Sequence, residues 1–202
     1  MIYLVNNFIY NVAVSIGGRN MDNREVGLKE KSIVFIGFMG VGKTTIGRLV
    51  AKKLYRDFVD IDEEIEKEFN MPVSQIFSEI GEKVFREREK ELIIKKCRQK
   101  LHIISVGGGA FLQEEIRKEC LSSSIVFFLD LSWESWRDRI SLIIDSRPVL
   151  QGKTLAEIEE LYYKRQEVYS NHHSKIRVDN LNMEEIANHI VDSLKLAWEL
   201  DS

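Results

Sequence analysis

Two kinds of segment alternate along this chain. Residues 32–36, 57–62, 102–106, 125–129 and 175–178 are short stretches rich in apolar and β-branched side chains and read as strands. Between them apolar residues recur at helical spacing, as in residues 44–54, where Ile46, Leu49, Val50 and Leu54 share one face. The same spacing predicts helices over 63–69, 82–98, 114–120, 155–169 and 184–200, and Pro72 separates a further one at 73–80. Ser132 is placed to cap a helix over 132–140, and residues 141–153, with Pro148 and Gly152, read as a loop. Five strands alternating with helices imply a three-layer α/β fold around a parallel sheet. Ligands in such sheets bind beyond the carboxyl ends of the strands, so the residues that follow strands carry the functional interest.

The first of those turns holds the strongest signal. Residues 37–47 read GFMGVGKTTIG and satisfy G-x-x-x-x-G-K-[ST], with Gly37, Gly42, Lys43 and Thr44 at the fixed positions. Glycines let successive N–H groups turn inward around phosphate oxygens, and the following helix presents its N-terminus to the anion. Lys43 would reach the β- and γ-phosphates, and the Thr44 hydroxyl would coordinate Mg²⁺. The loop predicts a bound nucleoside triphosphate and leaves the phosphate acceptor open.

Composition narrows the acceptor only by exclusion. Hydrophobic residues make up 44% and charged residues 30% of 202, which is ordinary for one globular domain. A formal charge of −3 argues against a nucleic-acid binder. Cys97 and Cys120 are the only cysteines, too few for a disulfide framework or a zinc site, and are expected as thiols in a reducing, cytoplasmic setting. The first twenty residues are apolar but interrupted by asparagines, with no basic residue before Arg19, and fit neither a secretory signal nor a membrane span. Met21 is therefore the expected natural start, with residues 1–30 a poorly ordered extension and 31–202 the working domain.

Several polar residues stand where ligands should. Asp60 and Asp62 end the second strand; if the strand persists, both face the loop. One could hold Mg²⁺ through water, while the other accepts a hydrogen bond or the proton from an attacking hydroxyl. The competing reading is that Asp62 caps the helix beginning at Glu63. Arg86, in GEKVFREREKELI, has the alternating charges of a solvated helix face, yet Phe85 beside it should pack inward. Arg147 precedes Pro148, Arg165 lies in YYKRQEVY, and Gly107 to Gly109 mark a backbone that something approaches closely. Arginine suits carboxylate and phosphate recognition through its planar fork.

Taken in order, GFMGVGKTTIG, DIDEEIE, IFSEIGEKVFREREKE, VGGGA, SRPVL and KRQEVY resemble the shikimate kinase family, over nearly everything from Lys31 to Val178. The resemblance implies a P-loop kinase fold with a five-stranded parallel sheet of order 2-3-1-4-5, helices on both faces and a mobile lid. It implies ATP-dependent phosphorylation of the shikimate 3-hydroxyl, a step toward chorismate and the aromatic amino acids. Gly40, Val41, Gly42, Lys43, Thr44, Thr45 and Arg147 become ATP contacts, and Thr44 with Asp60 the Mg²⁺ site. Asp62, Arg86, Gly108 and Arg165 become shikimate contacts, with Asp62, Lys43 and Arg147 catalytic. Shikimate and MgATP are the implied partners of a cytoplasmic monomer without nucleic acid or membrane. Asp62 remains either a general base or a positioning group.

Some features depart from the family. Part of the lid reads ISLIIDS, and residues 180–183 offer no arginine beside the nucleotide base. His172 and His173, adjacent at a helix end, should point apart rather than share a metal. Rival readings are a gluconate-type kinase, a GTPase switch, and a nucleotide-binding module without catalysis. The chain contains neither N-K-x-D nor D-x-x-G, which a switch would need.

Overall fold

The computed structural model describes residues 27–140, 148–179 and 181–200. Five parallel strands, β1 (Ser32–Ile36), β2 (Asp57–Asp60), β3 (His102–Ser105), β4 (Ser124–Asp130) and β5 (Ser174–Arg177), form one sheet of order β2-β3-β1-β4-β5. Burial explains their positions. β1 is buried along its length and takes the centre between β3 and β4. At the edge, β5 keeps only Ile176 turned toward the core while Lys175 and Arg177 are exposed.

Seven helices accompany the sheet among the described residues: α1 (Lys43–Leu54), α2 (Ile61–Phe69), α3 (Glu82–Cys97), α4 (Glu114–Ser123), α5 (Trp133–Arg137), α6 (Leu155–Tyr169) and α7 (Met183–Leu200). They exclude the single turn Val73–Gln75, which runs into a π-helical stretch, Ile76–Ile80, closed by Gly81 N–H donating to Ile76 O at 2.9 Å. α1 packs on α7 and α3 on α4. The buried thiols of Cys97 and Cys120 meet between α3 and α4 with sulfurs 3.6 Å apart.

An aromatic cluster fixes the loop after β1. Phe38 meets the rings of Trp136 and Tyr162 edge-on, at 4.9 and 5.2 Å. Trp136 Nε1 donates to Met39 O at 2.6 Å and Tyr162 Oη to Leu131 O at 2.5 Å, so both polar tips are satisfied in a dry setting. Each ring contributes about 2–3 kcal/mol of burial, which anchors the loop to α5 and α6.

Three sequence expectations shift. The second strand stops at Asp60 rather than running to Asp62, because the Asp60 carboxylate caps α2 and starts the helix at Ile61. The helix expected over 132–140 ends at Arg137, although Ser132 does cap it, accepting from Ser135 N–H at 3.3 Å. At the other boundary, residues 28–30 form a 3₁₀ turn with Leu28 buried, so they pack on the domain rather than hang from it. Met21 lies outside the described residues.

His172 and His173 do point to different partners. His172 lies against Phe128, rings 5.6 Å apart. His173 is buried; its Nδ1 accepts from Val126 N–H at 2.9 Å and its backbone N–H donates to Val126 O at 3.0 Å. Burial, with the nearby Lys31 charge, lowers its pKa from 6.5 to about 4. The unfolded chain then takes up this proton near 6.5 and the folded chain only near 4. Stability from this group is complete above 6.5 and lost as pH falls toward 4, about 3 kcal/mol in all. Melting curves of wild type and His173→Gln between pH 7.5 and 4.5 should converge as pH falls; a constant gap would refute the assignment.

Candidate active site

β1 feeds a loop in which Gly37, Gly40 and Gly42 all take positive φ, at 144°, 78° and 96°. At Gly37 a Cβ would also come within 2.6 Å of Leu129 O, so the loop lies directly on β4 there. Lys43 curls back over the loop, its Nζ donating to Gly37 O at 2.9 Å and Phe38 O at 3.0 Å. Thr44 Oγ1 donates to Asp60 Oδ2 at 2.6 Å. The other Asp60 oxygen accepts from the N–H groups of Asp62, at 3.1 Å, and Glu63, at 3.4 Å. The capping role that competed for Asp62 thus belongs to Asp60, and Asp62 stands in the first turn of α2, lining the cleft.

Gly40, Lys43, Thr44, Asp60 and Asp62 line a cavity of about 440 Å³, which Ser105 at the end of β3 also joins. A smaller cavity of about 50 Å³ adjoins it through Met39, Asp62, Gly107 and Gly108, and adds Arg86, Glu89 and Arg165. Gly42 and Thr45 face the larger cavity, whereas the Val41 side chain is buried in the core. Ten of the nucleotide, metal and acceptor candidates, Gly40, Gly42, Lys43, Thr44, Thr45, Asp60, Asp62, Arg86, Gly108 and Arg165, therefore converge on two adjoining spaces beyond the strands. Arg147 lies outside the described residues.

The triple glycine is explained by what crowds it. None of the three needs a positive φ. A Cβ on Gly107 would stand 2.8 Å from Glu89 Oε1 and 3.0 Å from Asp62 Oδ1. On Gly109 it would stand 2.9 Å from Arg86 Nη2, and on Gly108 3.2 Å from the Met39 backbone nitrogen and 3.5 Å from Arg165 Nη1. Side chains from α2, α3 and α6 thus meet over one bare stretch of backbone. The Tyr169 hydroxyl donates to Gly108 O and holds that stretch to α6.

Arg165 is only 4% exposed, and its Nε and Nη1 have no hydrogen-bond partner among the described residues. Its guanidinium lies 5.4 Å from the Phe38 ring, and burial lowers its pKa, with Tyr169 partly offsetting this. Arg86 is better provided for. Nη1 donates to Glu89 Oε2 at 2.8 Å and Nε to Glu82 Oε1 at 3.2 Å. Burial works against its charge, but the two glutamates outweigh burial and its pKa rises.

Glu89 was hidden in the charge run. It is fully buried, and burial lifts its pKa from 4.5 to about 7 although Arg86 pulls the other way. Its linkage opposes that of His173: the stability it contributes is present below 4.5 and lost as pH rises toward 7. The difference between wild type and a His173 variant isolates the histidine. The spacing could have exposed Glu89, which falls on the stripe of Phe85, Leu92 and Ile93 that α3 buries. Met183 was also missed; its Cε would be 2.9 Å from a Cβ on Gly42, so the start of α7 abuts the phosphate loop.

Residues 39–195 match the family model described as shikimate kinase. The chain belongs to the shikimate kinase family. A shikimate kinase of Oceanobacillus iheyensis is 60% identical over 173 residues, 86% of this chain and 94% of the relative. One of Bacillus subtilis is 54% identical over 88% of this chain and 96% of its own length. Among solved structures, a shikimate kinase from Acinetobacter baumannii in complex with shikimate superposes with a TM-score of 0.78 at 30% identity, covering 86% of this chain and 97% of that one. The sheet order and strand directions are those that the family resemblance implies, and the activity is that of an ATP-dependent shikimate kinase. Among the described residues no helix is long and apolar enough to cross a membrane.

Proposed function

We propose that this kinase moves the γ-phosphoryl group of ATP to the 3-hydroxyl of shikimate, with the nucleotide in the larger cavity and the acceptor in the smaller. The observation that carries the acceptor assignment is Arg165, a buried guanidinium with two nitrogens unpartnered, in the cavity that also holds Arg86 and Asp62. A buried cation without a counter-charge is costly. A carboxylate supplies that charge, and its two oxygens match the guanidinium fork. Arg86 and Arg165 accordingly grip the carboxylate of shikimate. The carbonyl of Gly108 is engaged by Tyr169, so the backbone contact that Gly108 offers is its N–H.

Asp62 accepts the hydrogen bond of the 3-hydroxyl and aims it; a loose phosphoryl-transfer transition state asks for little more. Gly40, Val41, Gly42 and Thr45 offer backbone N–H groups to the phosphates. Lys43 exchanges the carbonyls of Gly37 and Phe38 for phosphate oxygens. Thr44 and Asp60, a hydroxyl and a carboxylate already 2.6 Å apart, are hard oxygen donors of the kind Mg²⁺ prefers. Held by Thr44 and Asp60, Mg²⁺ would supply positive charge to offset the negative charge of the phosphates. To Arg147, outside the described residues, we assign a further positive charge for the ATP phosphates. Residues 31–202 form the catalytic domain. The described residues of this site all come from one chain, which supports a monomeric enzyme, and we place it in the cytoplasm.

ADP release should be followed with shikimate, with gluconate and with no acceptor, before and after chelation by EDTA. Release only with shikimate, abolished by EDTA and restored by Mg²⁺, is expected. Release with gluconate alone would overturn the acceptor, equal release in all three would make water the acceptor, and indifference to EDTA would remove the metal.

A further inference from the structure

Gln113 stands one turn beyond the triple glycine, after the 3₁₀ turn Ala110–Leu112 and just before α4. Its backbone is pinned on both sides, N–H to Ala110 O at 3.0 Å and carbonyl to Arg117 N–H at 3.1 Å. It occupies the N-cap of α4 but makes no side-chain cap, and glutamine is not a residue that capping favours. Its side chain reaches away instead, and Nε2 donates to Glu89 Oε2 at 3.2 Å. That oxygen also accepts from Arg86 Nη1 at 2.8 Å, while Oε1 has no partner.

We infer that Gln113 is a positioning residue for the carboxylate grip: its amide holds Glu89 as the anion that keeps Arg86 aimed into the acceptor cavity. The inference rests on the reading that Arg86 binds the acceptor carboxylate. The charged groups around Glu89 are Arg86 on its own helix, with Glu82 behind it, Asp62 from α2, and Arg165 from α6 across the same cavity. Burial and the Asp62 charge favour the neutral acid, and Arg86 and Gln113 favour the anion. These influences leave the group balanced about neutrality, so one neutral donor decides how much anion is present. A protonated Glu89 gives up its ionic hold on Arg86, and the grip loses its aim. Apparent acceptor affinity then scales with the ionised fraction.

KM for shikimate, KM for ATP and kcat should be measured from pH 6 to 9 for wild type, Gln113→Leu, Gln113→Glu and Arg86→Ala. In wild type, KM for shikimate is flat at high pH and climbs as pH falls through about 7. Losing one hydrogen bond to a charged group moves that midpoint up by about one pH unit in Gln113→Leu. The resulting rise in KM is roughly fivefold at pH 7 and less than about 1.5-fold at pH 9, with kcat and the ATP KM unchanged. Gln113→Glu sets a second carboxyl beside Oε2 and moves the midpoint further the same way, which keeps the test open if the leucine variant folds poorly. Wild-type profiles in both variants, or a KM increase equal at every pH, would overturn the inference. Arg86→Ala separates the two levels: an unchanged shikimate KM there refutes the grip itself. A large increase there beside normal Gln113 variants refutes only the role of Gln113.

Discussion

Replacing Arg165 with methionine should raise the KM for shikimate by ~10²–10³-fold and make the ligand-free protein more heat-stable. The first effect follows from removing one side of a buried charge-assisted pair, a loss of about 3–4 kcal/mol. The second follows from the ligand-free state, where Arg165 is buried and two of its nitrogens have no partner. Methionine keeps the volume, drops the desolvated charge and forfeits only the weaker contacts with Phe38 and Tyr169. A net gain of about 1 kcal/mol corresponds to a melting temperature about 2–4 °C higher for a chain of this size. Saturating shikimate should reverse the ranking, because only wild type gains by linkage. Scanning calorimetry with and without shikimate, beside steady-state kinetics, tests both halves. A lower melting point with an unchanged KM would make Arg165 a structural residue.

Lys43→Met should lower kcat by ~10²–10³-fold, the usual consequence of deleting one preorganised donor to developing charge, while the shikimate KM stays within about twofold of wild type. The loop geometry adds a second effect. Lys43 donates to the carbonyls of Gly37 and Phe38, so the free protein uses this cation to close its own loop. Without it those carbonyls lose a donor, and ATP must order the loop as it binds, so the ATP KM rises as well. Turnover within about tenfold of wild type would place the charge compensation elsewhere.

Much of this was legible because the signals were local. A glycine-rich loop between a strand and a helix depends on neighbouring residues alone, and β1 and β4 announce their central places by being apolar on both faces. What stayed hidden depended on distant partners or on one-residue choices. Whether Asp60 or Asp62 caps α2 turns on where the strand yields to the helix, and Thr44, sixteen positions away, helps to hold Asp60 in the capping place. Glu89 looks like one more charge in EREKE until α3 is set against the sheet and its stripe buries the fourth residue after Phe85. Gln113 could not be singled out at all, since its partner is twenty-four positions away.

The bare backbone at Gly107 to Gly109 has a consequence for inheritance. Every missense change at a glycine codon adds a side chain, and at Gly107 and Gly109 that side chain would meet the tips of Glu89, Asp62 and Arg86 rather than rigid backbone. Flexible tips can give way, so such alleles would fold and accumulate normally while their working groups are pushed out of alignment. Harm at these codons would leave no trace in protein abundance and would appear only as a nutritional requirement.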